Sequence, residues 1–319
     1  MKVVMLDRSG TDFSYEKKIF RAEGAIFLVT YFQNADELRP LLRDADVLMV
    51  GDAVLSAEII STLEKCKAII TTGAEYANVD LSAAGARGIY VCNTPCQSAL
   101  DKAEYLLALL LAHAKRIPQA DRMARSGKWG AEYIGRFSRL RGKTLGLIGY
   151  DDTAQALQKM AEGFSMKTLV FDPFGNPEHA SIHFLTLLEE SDFISLHAPL
   201  TEDTHHMMGM AQFKRMKKEA VLLSAGPGGL INENELTFAL LSGEIAGAAL
   251  DAFAVEPLPP NSRLLEMENV LLSPHVALRT LEGASELRAA STENAVRVLH
   301  LDVPQNIVNK PYLRGHTFI

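Results

Sequence analysis

A chain of 319 residues, 48% hydrophobic and 22% charged, is long enough for two domains that each bury a core, and too apolar to remain disordered. Its formal charge of −7 is spread along the chain, which argues against a surface for nucleic acid or for a membrane. Cys66, Cys92 and Cys96 are odd in number and lack metal-ligand spacing, so reduced thiols, no bound metal and a cytoplasmic location are expected.

The chain opens on Met-Lys-Val-Val-Met-Leu-Asp, which reads as a first strand and is too short and too quickly polar for a signal peptide. Further along, strands are expected at Val3–Leu6, Ile26–Thr30, Val47–Val50, Ala68–Thr72 and Tyr90–Asn93. Helices are expected at Tyr15–Glu23, Asp36–Asp44 and Ala57–Cys66. That alternation predicts a parallel sheet with helices on both faces. Asn93-Thr-Pro95 breaks it. Ser98 to Ile117 then forms a long helix, apolar nearly all round and so buried, either between domains or against another subunit. Its longest apolar run, Leu106–Ala112, falls well short of the ~18–20 residues that span a bilayer. Pro118 ends or kinks this helix, and Gln119–Gly127 continues as a polar one bearing Arg122 and Arg125.

A second alternating block begins at Thr144. Its expected strands are Thr144–Ile148, Thr168–Phe171, Phe193–Leu196, Ala220–Ser224, Gly247–Leu250 and Val270–Leu272. A last amphipathic helix, Glu282–Leu301, is placed to return the chain to the first domain. The fold class is α/β, with two Rossmann-like doubly wound domains.

The most informative stretch opens that block: Lys143-Thr-Leu-Gly-Leu-Ile-Gly-Tyr-Asp-Asp-Thr-Ala154. It reads as a buried strand, a tight turn at Gly149, and a helix starting near Thr153 with Ala156, Leu157 and Met160 on one face. In a dinucleotide-binding turn the second glycine lets the backbone approach the pyrophosphate, and helix N–H groups hold the anion. Asp151 stands at that position. Either the loop shifts to admit the phosphates, or Asp151 or Asp152 caps the helix and substitutes for them.

Several strings together carry a family likeness over nearly the whole chain. They are Cys92-Asn-Thr-Pro95, Ala103-Glu104, Arg125-Ser-Gly-Lys-Trp129, Phe171-Asp-Pro173, Ser195-Leu-His-Ala-Pro-Leu-Thr201, Gly247-Ala-Ala-Leu-Asp251 with Phe253, Glu256-Pro257, and Ser273-Pro-His275. In this order they resemble the NAD-dependent D-isomer-specific 2-hydroxyacid dehydrogenases, the phosphoglycerate dehydrogenase-like group. The resemblance implies a flavodoxin-like substrate domain from residues 1–98 and 286–319, with an NAD-binding domain, 99–285, inserted into it. It also implies a homodimer built around Ala103–Trp129, NAD as cofactor, and a small 2-hydroxy or 2-keto compound as substrate.

For the site, the resemblance implies that His275 exchanges a proton with the substrate oxygen and that Glu256 orients it, a role suited to an imidazole. The bland alternatives are a buried, hydrogen-bonded histidine and a glutamate in a proline-rich loop. Asp172, 23 residues beyond Gly149, is placed to accept hydrogen bonds from the adenosine ribose, or is a turn residue before Pro173. Gly149, Asp152, Thr153, Ala198 and Ala225 are the further cofactor-binding candidates, and Asp251 is expected to hold the nicotinamide amide. Three ligand loops depart from the family pattern. Ser224-Ala-Gly-Pro-Gly-Gly229 has Pro227 where the family has the arginine that clamps the substrate carboxylate and carbonyl. Thr72-Gly-Ala-Glu-Tyr-Ala-Asn-Val-Asp80 has Glu75, after Ala74, at a glycine position of the substrate loop, and Asp151 is the third departure. Weak or altered activity is therefore expected; a silent dimeric binding or regulatory scaffold is the alternative. Lys102, where the family has an uncharged residue, reads as a solvated surface lysine or as compensation for the missing cation.

Overall fold

The apolar runs at the start of the chain form a five-stranded parallel sheet. Its strands are β1 (Lys2–Leu6), β2 (Ile26–Thr30), β3 (Val47–Val50), β4 (Ala68–Thr71) and β5 (Tyr90–Cys92), in the order β2-β1-β3-β4-β5. The runs Val-Leu-Met-Val and Ala-Ile-Ile-Thr are buried along their whole length because β3 and β4 are covered on both faces; edge strand β2 is partly exposed. Helices α1 (Ser14–Ala22), α2 (Ala35–Leu42), α3 (Ala57–Ser61) and α4 (Leu81–Ala86) connect these strands. The computed structural model describes residues 1–7, 12–30, 35–95, 98–173 and 181–313, giving only the backbone of 35–37. Cys96 lies outside these residues.

The chain divides into two compact units, Met1–Gln97 with Thr280–Ile319, and Ser98–Arg279. The second unit starts with α5 (Ala99–Ala114) and α6 (Ile117–Arg125). Its six parallel strands are β6 (Thr144–Ile148), β7 (Lys167–Phe171), β8 (Phe193–Leu196), β9 (Val221–Ser224), β10 (Gly247–Leu250) and β11 (Val270–Leu272), in the order β11-β10-β9-β8-β6-β7. Helices α7 (Asp152–Gly163), α8 (Phe184–Glu190), α9 (Met210–Phe213) and α10 (Glu233–Leu241) join them. Leu106 and Leu110 of α5 and Leu157 of α7 share a core with Leu145 and Leu147 of β6. The last helix, α11 (Leu281–Leu299), packs Ala295, Val298 and Leu299 against Val3, Met49 and Ile70 of the first unit.

Two expectations need correction. Helix α3 stops at Ser61 rather than Cys66, where Thr62 turns its hydroxyl back to the Ile59 carbonyl at 2.7 Å. The long apolar helix breaks at Arg116, in the left-handed conformation with φ 53°, ahead of Pro118, which instead sits in the first turn of α6 where its missing N–H is not needed. On α7, Ala156, Leu157 and Met160 pack against one core as expected, and Thr153, Ala154 and Ala161 extend that buried face. The second crossing between the two compact units falls at Thr280, the N-cap of α11, whose Oγ1 accepts the Gly283 N–H at 2.8 Å. Among the described residues no helix is long and apolar enough to cross a membrane.

Candidate active site

The turn between β6 and α7 admits only glycine at its first position. Gly149 has φ +86°, and a Cβ there would stand 2.5 Å from the Ala198 nitrogen. The backbone after β8 passes this close because the His197 N–H bonds to the Ile148 carbonyl at 2.7 Å. Two residues on, Asp151 is the N-cap of α7: its backbone is extended and its Oδ1 accepts the Ala154 N–H at 2.8 Å. A cap of this kind stabilises a helix by about 1 kcal/mol. Asp152 is exposed, whereas Thr153, Ala198 and Ala225 are buried.

Asp151 is not alone at this helix end. Its Oδ1 is 3.3 Å from Nδ1 of the buried His197, outside hydrogen-bond geometry, and neither ring nitrogen of His197 has another partner among the described residues. Burial lowers the His197 pKa against the pull of Asp151, so the ring is neutral near pH 7. Burial works against ionisation of Asp151 as well, but the surrounding groups, the Ala154 N–H and Lys102 among them, outweigh it and hold the carboxyl below its ordinary range. With the imidazole neutral, the positive charge in the group is that of Lys102, on α5. This corrects the reading of a solvated lysine: Lys102 is half-buried, and burial lowers its pKa while Asp151 and Asp251 oppose that shift. No local pattern marks Lys102, which lies between Asp101 and Glu104 in the first turns of α5, and the charges that act on it lie far along the chain.

At the other end of the sheet's carboxyl edge, β10 runs into Asp251, which is fully buried. Its carboxylate accepts N–H bonds from Val276 (3.0 Å) and Ala277 (2.9 Å) and the hydroxyl of Ser273. Its backbone carbonyl takes the His275 N–H at 2.8 Å. Both oxygens thus accept hydrogen bonds from the loop that carries His275. His275, at φ 53°, presents an exposed imidazole whose Nδ1 is 2.8 Å from Glu256 Oε2. Glu256 is itself held by the Phe253 N–H at 2.9 Å on Oε1. Nε2 of His275 has no hydrogen bond among the described residues, so it is the atom that can give or take a proton. The pair lines a pocket of about 330 Å³.

The structure brings His275 and Glu256 together as the sequence implied, and it places the remaining candidates in separate loops. Asp172 follows β7, its N–H bonded to Ser181 Oγ at 3.0 Å. Pro227 is exposed after β9 and starts a 3-10 turn, Gly228–Leu230. In the first unit, Glu75 is exposed and the Ala74 carbonyl accepts the Asn93 side-chain amide at 2.8 Å.

Residues 107–277 match the NAD-binding domain of the D-isomer specific 2-hydroxyacid dehydrogenases. The chain belongs to this family. At family level it is an NAD-dependent 2-hydroxyacid oxidoreductase. A glyoxylate reductase of Thermococcus litoralis is 39% identical over 282 residues, which are 85% of each chain. A hydroxypyruvate reductase of Thermotoga maritima is 37% identical over 254 residues, 78% of this dehydrogenase-family chain and 83% of that protein. Among solved structures, a protein of Thermus thermophilus superimposes with a TM-score of 0.82 at 30% identity, covering 97% of this chain and 100% of that one.

Proposed function

We propose that this family member retains the proton-handling half of a 2-hydroxyacid dehydrogenase but holds NAD weakly and turns over ordinary 2-hydroxy or 2-keto acids poorly. The observation that carries this reading is the 2.8 Å bond from the Ala154 N–H to Asp151. NAD, when bound to such a domain, supplies or accepts the hydride. Its adenosine ribose fits a carboxylate at Asp172. Its pyrophosphate does not fit while a charged carboxylate caps α7, because two anions would compete for one set of N–H donors.

The chain's own residues account for the proton. Glu256 fixes His275 through Nδ1, leaving Nε2 to exchange a proton with the substrate oxygen. Nothing at Pro227 can polarise that oxygen's carbonyl or pair with a neighbouring carboxylate. Loss of one positioned donor of this type costs ~3–4 kcal/mol of transition-state stabilisation, about 10²–10³ in rate. Glu75, solvent-exposed, adds no cation in its place. The substrate is a small molecule, the setting cytoplasmic, and the active form a homodimer built on the α5–α6 region.

Titration of the protein with NADH, followed by fluorescence, tests the reading. Binding near millimolar concentration is expected, tightening at least tenfold in Asp151→Gly. Saturation at micromolar concentration in the unaltered protein, or an unchanged affinity in the variant, would overturn it. Adding Pro227→Arg to Asp151→Gly is expected to raise turnover of generic 2-keto acids; no gain would show that the arginine alone is not what is missing. The three simultaneous departures at Glu75, Asp151 and Pro227 favour a second reading, a silent binding or regulatory scaffold, and absence of NADH binding in both proteins would select it.

A further inference from the structure

The pocket beside His275 is lined mostly by apolar side chains. Phe253, Leu258, Leu265 and Leu272 form much of it, with Glu256 and His275 at one wall. No lysine or arginine is among the lining residues. A volume of about 330 Å³ lies at the small end of ligand sites, room for a compact metabolite and too little for a dinucleotide. Its chemistry discriminates. A phosphorylated or dicarboxylate side chain placed there would meet a carboxylate, Glu256, and no cation. A substrate without a side chain would leave the leucines facing water.

We infer that this pocket receives the side chain of the substrate, and that the substrate class is a 2-keto or 2-hydroxy acid with a branched aliphatic or aromatic side chain. The assignment rests on reading His275 as the acid–base group. Leu265 and Leu272 are the specificity-determining residues, acting by removing side-chain carbon from water. Such a pocket also offsets the loss at Pro227. Where no guanidinium grips the carboxylate, affinity has to come from apolar burial, which strengthens about two- to fourfold for each methylene enclosed. Leu265 is 51% exposed, so a ligand seated against it gains contact without displacing packed core.

Binding can be read without any nicotinamide, by ligand-observed NMR on the full chain with glyoxylate, pyruvate, 2-oxopentanoate, 2-oxohexanoate, 4-methyl-2-oxopentanoate and phenylpyruvate. Affinity is expected to rise along the series, with 2-oxohexanoate on the order of ten- to fiftyfold tighter than pyruvate. Leu265→Asn should flatten the series, and Leu265→Met should preserve it. A phosphorylated 2-keto acid should bind no better than pyruvate. A flat or reversed series, no binding by any member, or preference for the phosphorylated ligand would overturn the inference. So would a Leu265→Asn variant that changes the sedimentation of the protein and leaves the series intact, because the pocket would then belong to a partner chain. A graded series without turnover of any member would leave the pocket standing and sink the oxidoreductase reading; a flat series with turnover would do the opposite.

Discussion

Asp251 is the residue from which the His275 loop hangs. Its two oxygens accept the N–H groups of Val276 and Ala277 and the hydroxyl of Ser273. Asp251→Asn would set an amide NH₂ against one of these N–H donors and is expected to destabilise the protein by ~2–3 kcal/mol, read from urea unfolding. A change below ~0.5 kcal/mol would show that the loop is held by other contacts. His197 makes a separate prediction. Its folded pKa lies below the ordinary 6.5, so the unfolded chain takes up the proton first as pH falls. Its contribution is complete above pH 6.5 and is lost as pH drops from 6.5 toward the folded value. His113, whose pKa burial also lowers, acts in the same direction. Melting temperature should therefore fall between about pH 7 and about pH 5, and His197→Leu should shallow that fall; an identical slope in the variant would refute the assignment.

At the scale of elements, the β6–α7 unit was legible because its signals are local. An apolar run, a glycine and a capping aspartate lie within a dozen residues, and each acts on its neighbours. Gly149→Ala puts a methyl against the Ala198 nitrogen at φ +86° and should cost about 3 kcal/mol or more, measurable as an early unfolding transition. A cost below about 1 kcal/mol would mean that the turn can move, which would equally weaken the case that Asp151 is fixed in place. By contrast, replacing the Asp151 cap with glycine should cost only a few tenths of a kcal/mol, so the NADH titration of that variant reports on charge and not on unfolding. The elements that escaped the sequence, α4, α8, α9 and α10, are short or begin at caps without a strong 3.6-residue repeat. Asp80 and Asn232 cap α4 and α10 by accepting the Ala83 and Glu235 N–H groups. Their helicity is set by those caps and by burial against a sheet, and neither is visible in a window of residues.

For the whole molecule, the second unit leaves Trp129 83%, Phe137 52% and Tyr133 47% exposed, just after the helices α5 and α6. These aromatics are candidates for the buried part of the proposed dimer contact. Sedimentation should give a dimer, and the double change Trp129→Ser with Phe137→Ser should shift it to monomer; a monomer in the unaltered protein would remove the homodimer from the proposal. Sequence alone determined the alternation of strand and helix and the family, and it raised the proposal of a departed site at Glu75, Asp151 and Pro227, since each depends on residue identity at a position along the chain. Tertiary structure decided which charge answers which. Lys102 comes within electrostatic reach of Asp151 and Asp251, and Glu256 grips His275 across 19 residues, because chain segments remote in sequence meet at the carboxyl edge of one parallel sheet. Pairings of that kind are set by packing, and no local pattern encodes them.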